Sequence, residues 1–168
     1  KLISLKDLNF NREIKETENT IKKNAFIKAD FIFNKYGVNC FSDDSGLQVD
    51  ALDNQPGVKS ARYAGKNASS NDNVDLLLEN LKDIKNRRAK FITFICLIIS
   101  SDVKFFEGMI RGNITHIRRG DNGFGYDPIF VPDGYKKTFA EMPFKFKNSI
   151  SHRAIATKKL VKYLNSLN

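Results

Sequence analysis

Cysteine, histidine and tryptophan are scarce in this chain of 168 residues: two, two and none. Cys40 and Cys96 fall in separate apolar, strand-like runs without CxxC spacing. That argues against a disulfide framework or a zinc site and for small, reduced core residues. The longest apolar run, Phe91 to Ile99, is far short of the ~20 residues a membrane-crossing helix needs. No signal-like stretch precedes the first strand-like run, KLISL, and the chain opens on Lys1 rather than Met. The expectation is a soluble, cytoplasmic protein. Repeats, low-complexity tracts and linkers are also missing, so residues 1–168 read as one domain, long enough to bury roughly two-thirds of its unfolded surface. Acidic residues are in deficit, 19 against 28 Lys and Arg, which leaves a net charge of +9. Such a charge favours polyanions: nucleotides, nucleic acid or an anionic surface. The lysines are scattered beside Asn and Ile, so an ordinary solvated surface explains them equally well.

Hydrophobic spacing places a helix at about Glu18 to Tyr36, with Ile21, Ala25, Ala29, Ile32 and Tyr36 on one face and Gly37 as its stop. A strand from Val38 is expected to end at Ser42 and Asp43, followed by a Ser-Gly turn and a second short strand, LQVDAL. Ser69 or Ser70 caps a helix whose Val74, Leu77, Leu78, Leu81 and Ile84 form a core stripe. KFITFICLIIS and KFFEGMI, separated by Ser100, Ser101 and Asp102, read as an antiparallel hairpin. NITHIRR and DPIFVP are expected to add strands around the loop RGDNGFGY, before a last helix from Ser151 to about Ser166. Interleaved strands and helices with at least one hairpin define an α/β fold, a mixed β-sheet flanked by helices.

Three stretches carry the chemistry. In FSDDSGLQVD, the adjacent carboxylates Asp43 and Asp44 raise each other's proton affinity unless a cation or hydrogen bonds hold them ionised. Asp43 and Asp44 capping backbone N–H groups in an Asx turn is one solution. The other is a metal, with acidic Glu13 and Glu16 upstream to complete an oxygen shell of the kind that holds Mg²⁺ beside substrate phosphates. In GDNGFGYDPIF the glycines are followed by Pro128 and a strand rather than a helix, which excludes the dinucleotide fingerprint. Phe124 and Tyr126, separated by Gly125, offer either aromatic faces for a flat base or bulk for the core, and Asp127 fixes the loop or accepts a proton. In KNSISHRA, Ser151 caps a helix whose first turn carries His152 and Arg153, an unfavourable place for cations unless an anion joins them. Lys147 adds a further donor to that end. A surface role for His152 is the plain alternative; His116 has no partner in sequence and reads as structural.

Taken in order, SDDSGLQVDAL, QPGVKSARYAG, GFGYDPIF, KTFAEM and KNSISHRA resemble the inosine/xanthosine triphosphate pyrophosphatase family from about Glu13 to the C-terminus. The resemblance implies two lobes with a central substrate cleft, a homodimer, and Mg²⁺-dependent hydrolysis of ITP, dITP or XTP to the monophosphate and pyrophosphate. It implies that Asp44 is the metal-binding general base and Ser45 a substrate contact. Phe124, Gly125, Tyr126 and Asp127 match the loop that receives the purine, and Lys147, His152 and Arg153 the groups that recognise the base or its phosphates. Glu16 lies nearest the family's upstream metal carboxylate, with Lys15 where many members carry another acid and Glu13 as a rival. The family's opening strand and its Thr/Ser-x-Asn-x-x-Lys phosphate loop have no counterpart here. The expectation is therefore either a fragment of an active enzyme or an impaired nucleotide-binding homologue. A pyrophosphatase for modified pyrimidines and a basic nucleic-acid-binding module are the other readings; the acidic pair Asp43 and Asp44 argues against the last.

Overall fold

The computed structural model describes residues 2–167. Its sheet has four strands in the order β1 (Cys40–Val49), β2 (Arg88–Ile99), β3 (Asp102–Ile114) and β4 (Phe130–Pro132). Every pairing among them is antiparallel. The helices are α1 (Ile21–Tyr36), α2 (Ser70–Asn80), α3 (Phe144–Ile150) and α4 (His152–Asn165). Strands and flanking helices are as expected for the α/β class, but among the described residues the sheet is antiparallel throughout rather than mixed.

Local chemistry explains the boundaries. The Thr20 side chain accepts the Lys23 N–H at the start of α1, and Gly37 ends it in the left-handed region, its N–H donating to the Phe33 carbonyl. Ser69 and Asp72 form a reciprocal capping box on α2. Ser100 and Ser101 both have positive φ, 49° and 70°, which matches the two-residue turn that right-twisted hairpin strands require. The Ser100 N–H is also bound by the Asn39 side chain.

β2 records how the sheet is covered. Burial alternates from Ala89 to Ile95, then Ile95 to Ile98 are all buried. Over the first half one face is packed; over the second, α1 seals one face through Ala25 and Ala29 against Cys96 and Ile98, and α4 seals the other through Ala156 and Leu160 against Ile95 and Leu97. Further along the α4 face, Leu47, Val49, Phe91, Phe130 and Phe139 join α2 in the largest core cluster. Gly108 of β3 lets α4 lie directly on the strand, because a Cβ there would collide with the His152 carbonyl oxygen and the Ala156 amide.

Four further expectations change. β1 runs unbroken through SDDSG and LQV, paired with β2 from Cys40↔Ile98 to Val49↔Ala89, so no Ser-Gly turn exists there. Gly46 is in the strand because its Cβ would collide with the Gly57 carbonyl; Asp50–Leu52 is a 3-10 turn. Asp43 and Asp44 therefore stand mid-strand rather than at a strand end. In NITHIRR only Asn113 and Ile114 are strand, as the end of β3, and in DPIFVP the strand is Phe130–Pro132 after a 3-10 turn whose Pro128 has no N–H to give a ladder. The described residues of KLISL form no strand; a turn follows over residues 5–9, with Ser4 bound by the Asp7 carboxylate.

Candidate active site

Strand alternation resolves the paired carboxylates. Successive side chains of β1 point to opposite faces: Asp44 lies with Cys40 and Ser42 on the α1 side, Asp43 with Ser45 and Leu47 on the α4 side. The two negative charges are thus held apart, and each has its own cation. Their separation removes mutual repulsion as an argument for a metal.

On the α1 face, Lys28 Nζ donates to Glu16 Oε1 at 2.7 Å and to Asp44 Oδ1 at 3.3 Å. Arg62 Nη1 stands 3.6 Å from the other Glu16 oxygen. The Asp44 side chain is only 12% exposed. Burial raises its proton affinity; Lys28 opposes that, and the nearby Glu16 adds to it. Glu16, not the exposed Glu13, shares a cation with Asp44. Lys28 was not anticipated, although it interrupts the apolar face between Ala25 and Ile32, which is the signal that marks it.

Among the described residues no three His, Cys, Asp or Glu side chains group to hold an ion by themselves. Two part-buried carboxylates, one with raised proton affinity despite its lysine, suit a divalent ion that takes its remaining ligands from water and phosphate. The residues fit a metal brought with, or shared by, a phosphorylated ligand.

On the α4 face a cleft of about 300 Å³ opens over the sheet. Its floor is Ser45, Leu47 and Phe91, and one wall is the 3-10 segment Gly57–Arg62 with Asn73 of α2. The far wall is Phe124 to Asp127, and the rim is His152 and Arg153. Asn73, another residue missed from sequence, is buried and clamps the segment by accepting from Ala64 N and donating to Ala61 O. A polar residue beside Val74 on a core stripe was its signal. Ser45 Oγ and Thr93 Oγ1 share a hydrogen bond of 2.6 Å across the strands.

The aromatic pair divides its duties. Phe124 is 67% exposed, whereas Tyr126 is buried with its hydroxyl donating to the Ser60 carbonyl. Burial raises the Tyr126 pKa. Gly125, at φ 58°, makes the bend between them. Of the two, Phe124 is the exposed ring, while Tyr126 lines the cleft wall from within the core. Beneath Phe124 the buried Lys147 is ion-paired to Asp127, with Nζ 4.5 Å from the Phe124 ring centroid. Asp127 also accepts the Phe124 N–H, so this pair fixes the loop.

His152 is buried and stacks flat on Phe91, with ring centroids 4.7 Å apart. Desolvation, followed by the charges of Arg153 and Lys147, pushes its pKa down to about 3. The imidazole is neutral at ordinary pH, and its Nδ1 has no hydrogen-bond partner among the described residues. Arg153 Nε donates to Asp43 Oδ2 at 3.0 Å. The supposed penalty of two cations at a helix start is thus absent: one is uncharged and the other is paired.

The 3-10 segment Gly57–Arg62 runs along β1 and joins both regions, Ser60 on the cleft side and Arg62 at Glu16. An acidic, phosphate-ready cluster and an aromatic cleft flank one sheet edge, as in a nucleotide-processing enzyme. The sequence profile of the Ham1 family matches residues 1–163. A dITP/XTP pyrophosphatase of Flavobacterium psychrophilum is 48% identical over 166 residues, covering 99% of this chain and 87% of that protein. The solved structure of the Staphylococcus aureus Ham1 protein superposes with a TM-score of 0.95 at 36% identity, over 99% of this chain and 87% of that one. A Mycobacterium abscessus structure titled nucleoside-triphosphatase / dITP/XTP pyrophosphatase gives a TM-score of 0.83 at 41% identity, over 98% and 85%. The chain belongs to the Ham1 family. No helix among the described residues is long and apolar enough to cross a membrane.

Proposed function

We propose that this protein hydrolyses ITP, dITP and XTP to the nucleoside monophosphate and pyrophosphate with Mg²⁺, acting as a homodimer on the free cytoplasmic nucleotide pool rather than on nucleic acid. The observation that carries the reading is the placement of two sites about β1: Asp44, Glu16 and Lys28 on one face, and the Phe124 cleft on the other. A purine seated in the cleft extends its phosphates past the strand towards Asp44. The names of the relatives agree with this substrate class.

Asp44 is the base that orients water. Burial gives its carboxylate a stronger pull on a water proton, and Lys28 fixes its position. As Asp44 takes its proton, the water oxygen attacks the α-phosphorus, the bond from that phosphorus to the oxygen bridging to the β-phosphate breaks, and pyrophosphate leaves. Held by Asp44 and Glu16, Mg²⁺ would neutralise the charge on the phosphate oxygens. Lys28 and Arg62 place further positive charge beside those oxygens.

Phe124 offers the stacking face. His152 and Arg153 reach the base edge, where a 6-oxo group accepts hydrogen bonds; the 6-amino group of adenine leaves those donors unpaired. The test is product analysis over ITP, dITP, XTP and ATP, with and without Mg²⁺. Pyrophosphate released from the first three, only with the metal, is expected. Release of orthophosphate, or equal kcat/KM for ITP and ATP, would contradict it.

A further inference from the structure

We propose that Asp43 is a positioning residue for purine discrimination: its carboxylate anchors the Arg153 guanidinium at the cleft rim without touching the ligand itself. This rests on the reading that the cleft takes a purine. Arg153 lines the cleft, while Asp43 stands behind it on β1. The contact is side-on, through Nε alone. No other hydrogen bond of the guanidinium is found among the described residues, so the two terminal amino groups of Arg153 are left for an acceptor on the ligand.

The surroundings make an anchor necessary. Arg153 is the second residue of α4, where the helix dipole disfavours a cation. Asp43 is its only carboxylate partner among the described residues. Asp127, the carboxylate of the cleft wall, is already committed to Lys147, so it does not balance that charge. Both ends of the contact are rigidly seated: Asp43 lies in the middle of a fully paired β1–β2 ladder, and α4 is pressed onto β3 at Gly108. The side chains are 49% and 40% exposed, so the bridge adds little to the stability of the fold. Its consequence is orientation.

The experiment compares kcat and KM for ITP and ATP in the wild type, Asp43→Asn, Asp43→Glu, Arg153→Ala and the Asp43→Asn/Arg153→Ala double variant, with thermal melts alongside. Asp43→Asn is expected to lose about fivefold in preference for ITP over ATP, mainly through a raised KM for ITP. Asp43→Glu should recover most of the preference. In the Arg153→Ala background, Asp43→Asn should change nothing further. An equal loss for both nucleotides, additivity with Arg153→Ala, unchanged preference, or an unfolded Asp43→Asn protein would each overturn the role. A wild type that treats ITP and ATP alike would instead bring down the purine reading beneath it, and this proposal with it.

Discussion

Asp43 and Asp44 are neighbours in sequence and opposites in setting. Asp44 faces α1, is nearly enclosed, and has a proton affinity raised by burial. Asp43 faces α4, is open to water, and is matched one-to-one with Arg153. On the proposed reading the same side chain serves as a base on one face and an anchor on the other, purely through which covering helix it meets. A strand whose two faces are both dressed with helices holds two carboxylates one residue apart in different settings, each with its own cation.

The comparison breaks most sharply at Asp44. Asp44→Asn should lower kcat by about 10²–10⁴-fold. It should also raise the melting temperature of the metal-free protein by about 2 °C, since a neutral amide relieves the cost of a buried charge. Stopped-assay kinetics and calorimetric melts check both.

Next comes the buried pair beneath the cleft. Lys147→Met leaves Asp127 enclosed without its cation and should cost about 3–5 kcal/mol in urea unfolding. Turnover should fall because the Phe124 loop loses its tie.

The His152 effect depends on pH. Its native pKa of about 3 lies below the ordinary 6.5, so the unfolded chain binds the extra proton first. Stability is therefore intact above pH 6.5 and is lost as pH falls from there towards 3. Unfolding free energies at pH 7 and pH 4.5 should show this loss, and His152→Gln should reduce it.

Smallest is the aromatic platform. Phe124→Ala should raise KM for ITP by about tenfold, in line with the value of one base–aromatic stack. Its kcat should be nearly unchanged, which sharpens the division between the two faces.

Much of this was legible in the sequence. The α1 stripe ending at Gly37, the Ser69 cap, the β2–β3 hairpin and α4 after Ser151 all follow from local propensity and periodicity, and the structure places them within a few residues. The motif residues Asp44, Ser45, Phe124, Asp127, Lys147, His152 and Arg153 were visible as chemistry-bearing types in suggestive surroundings. What local reasoning missed depends on distant partners. The Ser-Gly pair looked like a turn because the reason for Gly46 is the Gly57 backbone, which no local window contains. Tyr126 could be read as base platform or as core because its hydroxyl partner, the Ser60 carbonyl, is far away in sequence. Lys28 looked like one more surface lysine, since Glu16 and Asp44 converge on it only after α1 docks against β1.

Calorimetric titration of inosine monophosphate into the wild type and Asp44→Asn, paired with their rates of pyrophosphate release, measures the division of labour across β1 directly. Affinity for the monophosphate should stay within about threefold while release of pyrophosphate is lost. Continued turnover without the Asp44 carboxylate, or affinity lost together with turnover, would contradict it.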